Sequence, residues 1–247
     1  MKQRYGETDR IYMGLSGYSY NPWQGPGRFY PSDLKPAQFL RYYATRYKTV
    51  ELDGTWCRLP SEQTVRSWIE LTSSDFVFAP KAHRQVTHIH RLKPDALQFV
   101  YLMPDRLAPL VQNRRLGPVL LQLPPNFRRD DGRLGKFLEQ VPKNVRWAIE
   151  FRHQSWHAPE VEALLRSYGV SWSAVETDET PAERRDTSNF RYVRLRRSDY
   201  DEKQLAEWAD WLKAEANKGK DCFVYCKHDD EGSPWVWADR LRELTST

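Results

Sequence analysis

Short apolar runs recur along the chain and alternate with longer amphipathic stretches. The runs are IYMGLSG at 11–17, TVELDG at 49–54, FVFAPKA at 76–82 and PVLLQLP at 118–124. They continue with RWAIEFR at 146–152, VSWSAVE at 170–176, RYVRLRR at 191–197 and DCFVYCKH at 221–228. Several are rich in valine or aromatic residues, as strands prefer. Most lack polar alternation, which suits parallel strands covered on both faces.

Helical patterns fill most of the gaps. PAQFLRYYATRY begins with Pro36, a good first-turn residue, and SEQTVRSWIELT opens with Ser61 as a cap. DALQFVYLMPDRLAPLV is interrupted by Pro104, which predicts a kinked or split helix. DDGRLGKFLEQV is weakened by its glycines, and APEVEALLRSYG ends on Gly169, a C-terminal cap signal. DEKQLAEWADWLKAEANKG has the clearest apolar stripe, and PWVWADRLREL closes the series. TDETPAERRDTSNF, between the sixth and seventh runs, reads as loop or a single turn. Eight strands joined by long crossovers predict a single (β/α)8 TIM-barrel-like domain over 1–247, with a weak or missing helix between strands six and seven. A doubly wound open sheet uses the same local pattern.

Charged residues sit where a buried strand would exclude them. Glu51 and Asp53 come late in the second strand, Lys81 in the third and Gln122 in the fourth. Glu150 and Arg152 end the fifth and, two apart, share a face. Glu176 ends the sixth, Arg194 and Arg196 lie in the seventh, and Lys227 and His228 end the eighth. In a parallel barrel these ends form one rim, where barrel enzymes build their sites. Glu51 and Glu150 would serve as an acid and base pair if their surroundings separate their pKa values. Lys81, Arg152 and Arg194 would hold an anion. A structural ion-pair network is the competing explanation.

The net charge of +5 tolerates anionic partners, nucleic acid included, without requiring them. No run approaches the length needed to cross a bilayer, and no apolar signal core opens the chain, so a cytoplasmic protein is expected. The cysteines, Cys57, Cys222 and Cys226, are too few and too uneven for a disulfide framework. Cys222, Cys226 and His228 as metal ligands are weaker than buried cysteines in a strand. His88 and His90 leave a divalent metal open, but no compact ligand motif accompanies them, and no cofactor is expected. GxSxG, GxGxxG and GxxxxGK[ST] motifs are absent from the sequence.

The dispersed motifs GLSGYSYNPWQGPGRFYP, YATRYKTVELDGTWCRLP, FVFAPKAHRQVTH and LGPVLLQLPPNF, then WAIEFRHQSW, YVRLR and CFVYCKHDDEG, come in an order that resembles the YecE-like, or DUF72, family. The resemblance covers nearly the whole chain. It implies a TIM-barrel-like fold and brings no general biochemical activity with it. It also implies that Glu51, Lys81, Gln122, Glu150, Arg152 and Arg194 match motif positions at the barrel mouth, as do His88 and Trp156 with less defined roles. The chain departs from the family after the strand-two glutamate, where Asp53, Gly54, Trp56 and Cys57 replace the usual asparagine and phenylalanine–tyrosine pattern. KHDD in the last strand is a second departure.

These readings converge on an enzyme acting on an anionic small molecule. Glu51, Glu150, Lys81 and His88 are its catalytic candidates. Gln122, Arg152, Arg194, Trp156, Lys227 and Trp23 are its ligand-binding candidates. The aromatic loop at 18–30, with Trp56 and Trp156, would form a stacking wall over the mouth, or else pack its own rings. A nucleic-acid-processing barrel and a non-catalytic sensor are the alternative functions.

Overall fold

The computed structural model describes residues 10–227 and 233–246. Its strands are β1 (Ile11–Ser16), β2 (Thr49–Leu52), β3 (Val77–Pro80), β4 (Val119–Gln122), β5 (Trp147–Glu150), β6 (Ser171–Glu176), β7 (Phe190–Leu195) and β8 (Asp221–Cys226). All eight fall inside the runs read from the sequence, apart from a one-residue extension of β7. They form one sheet in the order β3-β2-β1-β8-β7-β6-β5-β4. Its two terminal strands meet through parallel bridges, Phe78 with Leu116 and Lys81 with Leu120. The fold is of the TIM-barrel-like (β/α)8 class, and no helix lies between β6 and β7.

The helices are α1 (Phe39–Tyr43), α2 (Glu62–Glu70), α3 (Leu97–Arg106), α4 (Ala108–Gln112), α5 (Asp131–Gln140), α6 (Pro159–Tyr168), α7 (Glu202–Asn217) and α8 (Pro234–Ser246). Side-chain caps fix several starts. Ser61 Oγ accepts from Thr64 N, Asp130 from Arg133 N, and Asp201 forms a reciprocal capping box with Gln204. Gly169 ends α6 at φ 66°. The expected break near Pro104 falls three residues later, at Leu107, which separates α3 from α4. Pro104 stays inside α3, a helix of only ten residues.

Two compact units share the chain. One contains the residues up to Val50, Ala174–Glu183 and the residues from Asn189; the other contains Glu51–Ser173 and Arg184–Ser188. In the first, β1 pairs in parallel with β8, and β7 with β8. Tyr43 joins β1 to the start of β2. Its hydroxyl accepts from Leu15 N at 2.7 Å and donates to Thr49 O at 2.9 Å. A side chain at Gly14 would overlap the Thr49 carbonyl, so glycine is needed for this approach. The aromatic loop packs on its own rings: Phe29 and Tyr30 are enclosed, and Trp23 lies edge-on to Phe29 and to Trp235 of α8. At the start of β7, buried Arg191 holds Glu215 of α7, which Lys218 and Lys220 also contact.

In the second unit β4 pairs with β5 in register, Gln122 facing Glu150, and β5 pairs with β6. Buried Arg115 donates to Phe76 O at 2.9 Å and Ile69 O at 3.0 Å, tying the approach to β4 back onto α2 and β3. Without a helix after β6, Thr187 instead takes up a strand donor: its hydroxyl accepts from Trp172 N at 2.8 Å.

Replacing Tyr43 with phenylalanine removes the partner of two buried backbone groups. Such a loss costs about 1–3 kcal/mol, and denaturant unfolding of Y43F should show a drop of that size. Unchanged stability would mean that Tyr43 does not hold β1 to β2.

Candidate functional site

Glu150 closes β5 with only 2% of its side chain exposed. A carboxylate so placed needs partners of opposite polarity. Its Oε1 accepts from Gln122 Nε2 at 2.9 Å, across the β4–β5 register, and from Arg152 Nε at 2.8 Å. The same-face spacing of Glu150 and Arg152 thus produces a direct ion pair. Arg152 is 33% exposed, and among the described residues its two terminal nitrogens meet no acceptor. Held through Nε, the guanidinium presents its two-nitrogen edge, the geometry that matches a carboxylate or phosphate.

Lys81 immediately follows β3. Its Nζ lies 3.8 Å from Asp53 Oδ1 and 5.4 Å from the centre of the Trp56 ring. Trp56 also meets the His88 ring edge-on at 5.0 Å. Thr55, beside it, has its hydroxyl 2.7 Å from the carbonyls of both Leu52 and Lys81 and shares its one proton between them, which ties the turn after β2 to the end of β3. Trp56 Nε1 is buried and meets no acceptor among the described residues. Glu51 is completely buried in β2.

His88 sits in a wide turn, Gln85–Ile89, closed by a hydrogen bond from His90 N to Gln85 O at 2.9 Å. Such wide turns are frequent at functional sites. Arg91 (φ 49°) and Leu92 (φ 61°) then stand consecutively in the left-handed region without a glycine. Each costs roughly 1–3 kcal/mol and must be held by its surroundings. Leu92 is buried and its N bonds Val86 O, while Arg91 reaches Asn126 Oδ1 at 3.1 Å and the His88 carbonyl at 3.4 Å. The His88 Nδ1 lies 2.8 Å from Thr87 Oγ1. Burial, then the charges of Lys81, Arg152 and Arg91, hold the His88 pKa below 6.5. As the pH falls, the unfolded chain therefore takes up this proton first. The contribution to stability is complete above 6.5 and is lost as the pH drops through the folded value.

Sequence reasoning passed over Arg91, because nothing in HIHRL signals two left-handed residues. Trp56, expected in the stacking wall and as a departure from the family pattern, contacts both Lys81 and His88.

The second unit therefore joins Gln122, Glu150 and Arg152 by direct bonds, and by close contacts Lys81 to Asp53 and Trp56 and Trp56 to His88. Trp156 belongs to the same unit but is completely buried. It stacks on Phe151 at 4.9 Å and donates to Phe127 O at 2.6 Å, so it cannot form the expected exposed wall. Arg194, Lys227 and Trp23 belong to the other unit. Arg194 is completely buried in β7, and the Lys227 backbone extends the β7–β8 pairing by donating to Leu195 O. Trp23 is a core ring of its loop, because Phe29 and Trp235 enclose it. Glu176 accepts from Trp208 Nε1 at 2.8 Å.

Among the described residues no group of three His, Cys, Asp or Glu is arranged to hold a metal ion. Burial pushes the Cys222 and Cys226 thiols up to about 12, as expected of cysteines in a strand core. The third member of that set, His228, lies outside the described residues, as does most of KHDD. No described helix is long and apolar enough to cross a membrane.

The sequence profile of the family described as "Protein of unknown function DUF72" matches residues 12–247. The chain belongs to the DUF72 family. Among curated relatives, UPF0759 protein YecE of Escherichia coli K12 is 31% identical over 162 residues, 65% of this chain and 55% of that protein. UPF0759 protein YunF of Bacillus subtilis 168 is 25% identical over 154 residues, 60% and 53% respectively. The DUF72 chain thus spans about half the length of the curated relatives it matches. A DUF72 family protein from Thermotoga maritima MSB8 superposes with a TM-score of 0.85 at 25% identity, covering 96% of this chain and 99% of the other. A xylose isomerase domain protein from Alicyclobacillus acidocaldarius reaches 0.52 at 14% identity over 96% and 98% of the two chains, a likeness of fold alone.

Lys81 is the first charge acting on His88 after burial. K81M should therefore raise the His88 pKa, read by NMR titration of the imidazole. An unchanged or lower value would remove Lys81 from the electrostatics of this site.

Proposed function

We propose that this DUF72 protein is an enzyme acting on an anionic small molecule, phosphorylated or carboxylated, by acid/base chemistry at the ends of β2–β5. The observation that carries the reading is the Arg152 edge, fixed from behind by buried Glu150 and open in front. Lys81 adds a second cation on Trp56, and the depressed pKa of His88 supports a neutral imidazole ready to accept a proton near pH 7. Arg152 binds the anion, Lys81 stabilises charge developing on it, and His88 moves the proton. Glu150 and Gln122 orient Arg152.

The nucleic-acid alternative is weakened, because Trp23, Phe29, Tyr30 and Trp156 are enclosed and only Tyr18, Tyr20 and Trp56 of the expected wall are partly exposed. A non-catalytic sensor would use the same Arg152 edge without turning its ligand over.

A panel of phosphorylated and carboxylated metabolites, assayed for binding and turnover, tests the proposal. R152K keeps the charge but loses the two-nitrogen edge. It should bind the best anion about 10–100-fold more weakly, the value of one or two charge-assisted hydrogen bonds, with little change in thermal midpoint. Equal affinity in folded R152K would remove Arg152 from recognition. Binding without turnover across the panel would favour the sensor.

A further inference from the structure

At the opposite ends of β4 and β5 from Gln122 and Glu150 lies a cleft of about 400 Å³. Its walls come from α3 and α4 and from the connectors that enter β4 and β5, all within the second unit. The volume falls in the range of small-molecule sites, about 300–1,000 Å³. Pro104, Ala108, Val111, Leu116 and Val145 give it apolar surface. Gly117 fixes one side: its N donates to Phe78 O at 2.7 Å, and a side chain there would press on Val77.

The polar lining has unused capacity. Arg114, Asp105, Gln112 and Asn144 are exposed and have no side-chain hydrogen bond or ion pair among the described residues. Arg114 also occupies an unfavourable backbone position. It follows the C-terminal cap of α4 at φ 57°, where glycine or asparagine is the ordinary choice. An arginine there strains the backbone, and no contact of its side chain within the protein offsets the strain. Arg114 thus offers the cleft an uncommitted guanidinium, and Asp105 a carboxylate.

We propose that this cleft is a second ligand site, distinct from the strand-end site, for a small amphipathic carboxylate. The apolar body of the ligand lies on Val111, Leu116 and Val145. Its carboxylate pairs with Arg114, and Asp105 accepts from a hydroxyl or ammonium donor where the ligand has one.

Calorimetric titration of the full chain with phenylacetate, 3-phenylpropionate and 4-hydroxyphenylacetate tests this, with phenylacetamide as the uncharged control. Saturable binding of at least one acid is expected, and weaker binding of the amide. R114G should weaken the acid about tenfold or more through loss of a charge-assisted contact, while its thermal midpoint rises as the backbone strain is relieved. A108W should block the cleft and abolish binding, and R152K should leave it unchanged. The proposal is overturned if no acid binds saturably, if R114G binds as well as wild type or unfolds at a lower temperature, or if binding depends on Arg152 instead. Since R152K governs the strand-end site alone, failure of either site is read separately.

Discussion

A carboxylate at the end of a buried strand is the constraint on which the candidate site depends. Glu150 is almost wholly removed from water, and an unpaired charge there would cost several kcal/mol. Gln122 across the register and Arg152 two residues on both contribute to relieving it. The first follows from the parallel pairing of β4 and β5, the second from the two-residue period of extended chain. Glu150 in turn restrains Arg152, a side chain that would otherwise lose considerable rotamer entropy on binding. Such a buried pair adds little net stability, and its value lies in the geometry it imposes on the exposed partner.

The positive charge that remains has a consequence for its neighbour. Lys81, Arg152 and Arg91 surround His88 with cations and, with burial, keep its proton affinity low. An anion entering the site would reverse that balance and raise the affinity of the imidazole for a proton. Binding and proton acceptance would then reinforce each other, a coupling suited to a reaction in which a bound anion loses a proton to the protein. The wide turn and the two left-handed residues after His88 concentrate backbone strain beside this ring.

Much of the scaffold was legible because its signals are local. Apolar runs marked the strands, and Ser61 and Gly169 marked helix ends through their own capping chemistry. The gap after β6 was visible as a stretch without periodicity. The Glu150–Arg152 pair was legible from parity. What sequence could not supply were features set by tertiary packing. Nothing distinguishes a stacking wall from a self-packed loop in YSYNPWQGPGRFY; the enclosure of Trp23 by Phe29 and Trp235 decides it. Trp156 likewise reads as a pocket residue in the motif yet is a core ring bonded to Phe127. Arg91, Leu92 and Arg114 carry left-handed backbone that no residue type announced.

The central claim is that Glu150 acts through Arg152, as its support, and a double-mutant cycle on anion affinity tests it most directly. Wild type, E150Q, R152K and the double variant would be titrated with the tightest-binding anion of the metabolite panel. If Glu150 works by holding Arg152, the double variant binds no more weakly than the weaker single variant, because the second change removes nothing further. Additive losses would show that Glu150 and Arg152 act independently and would contradict the account.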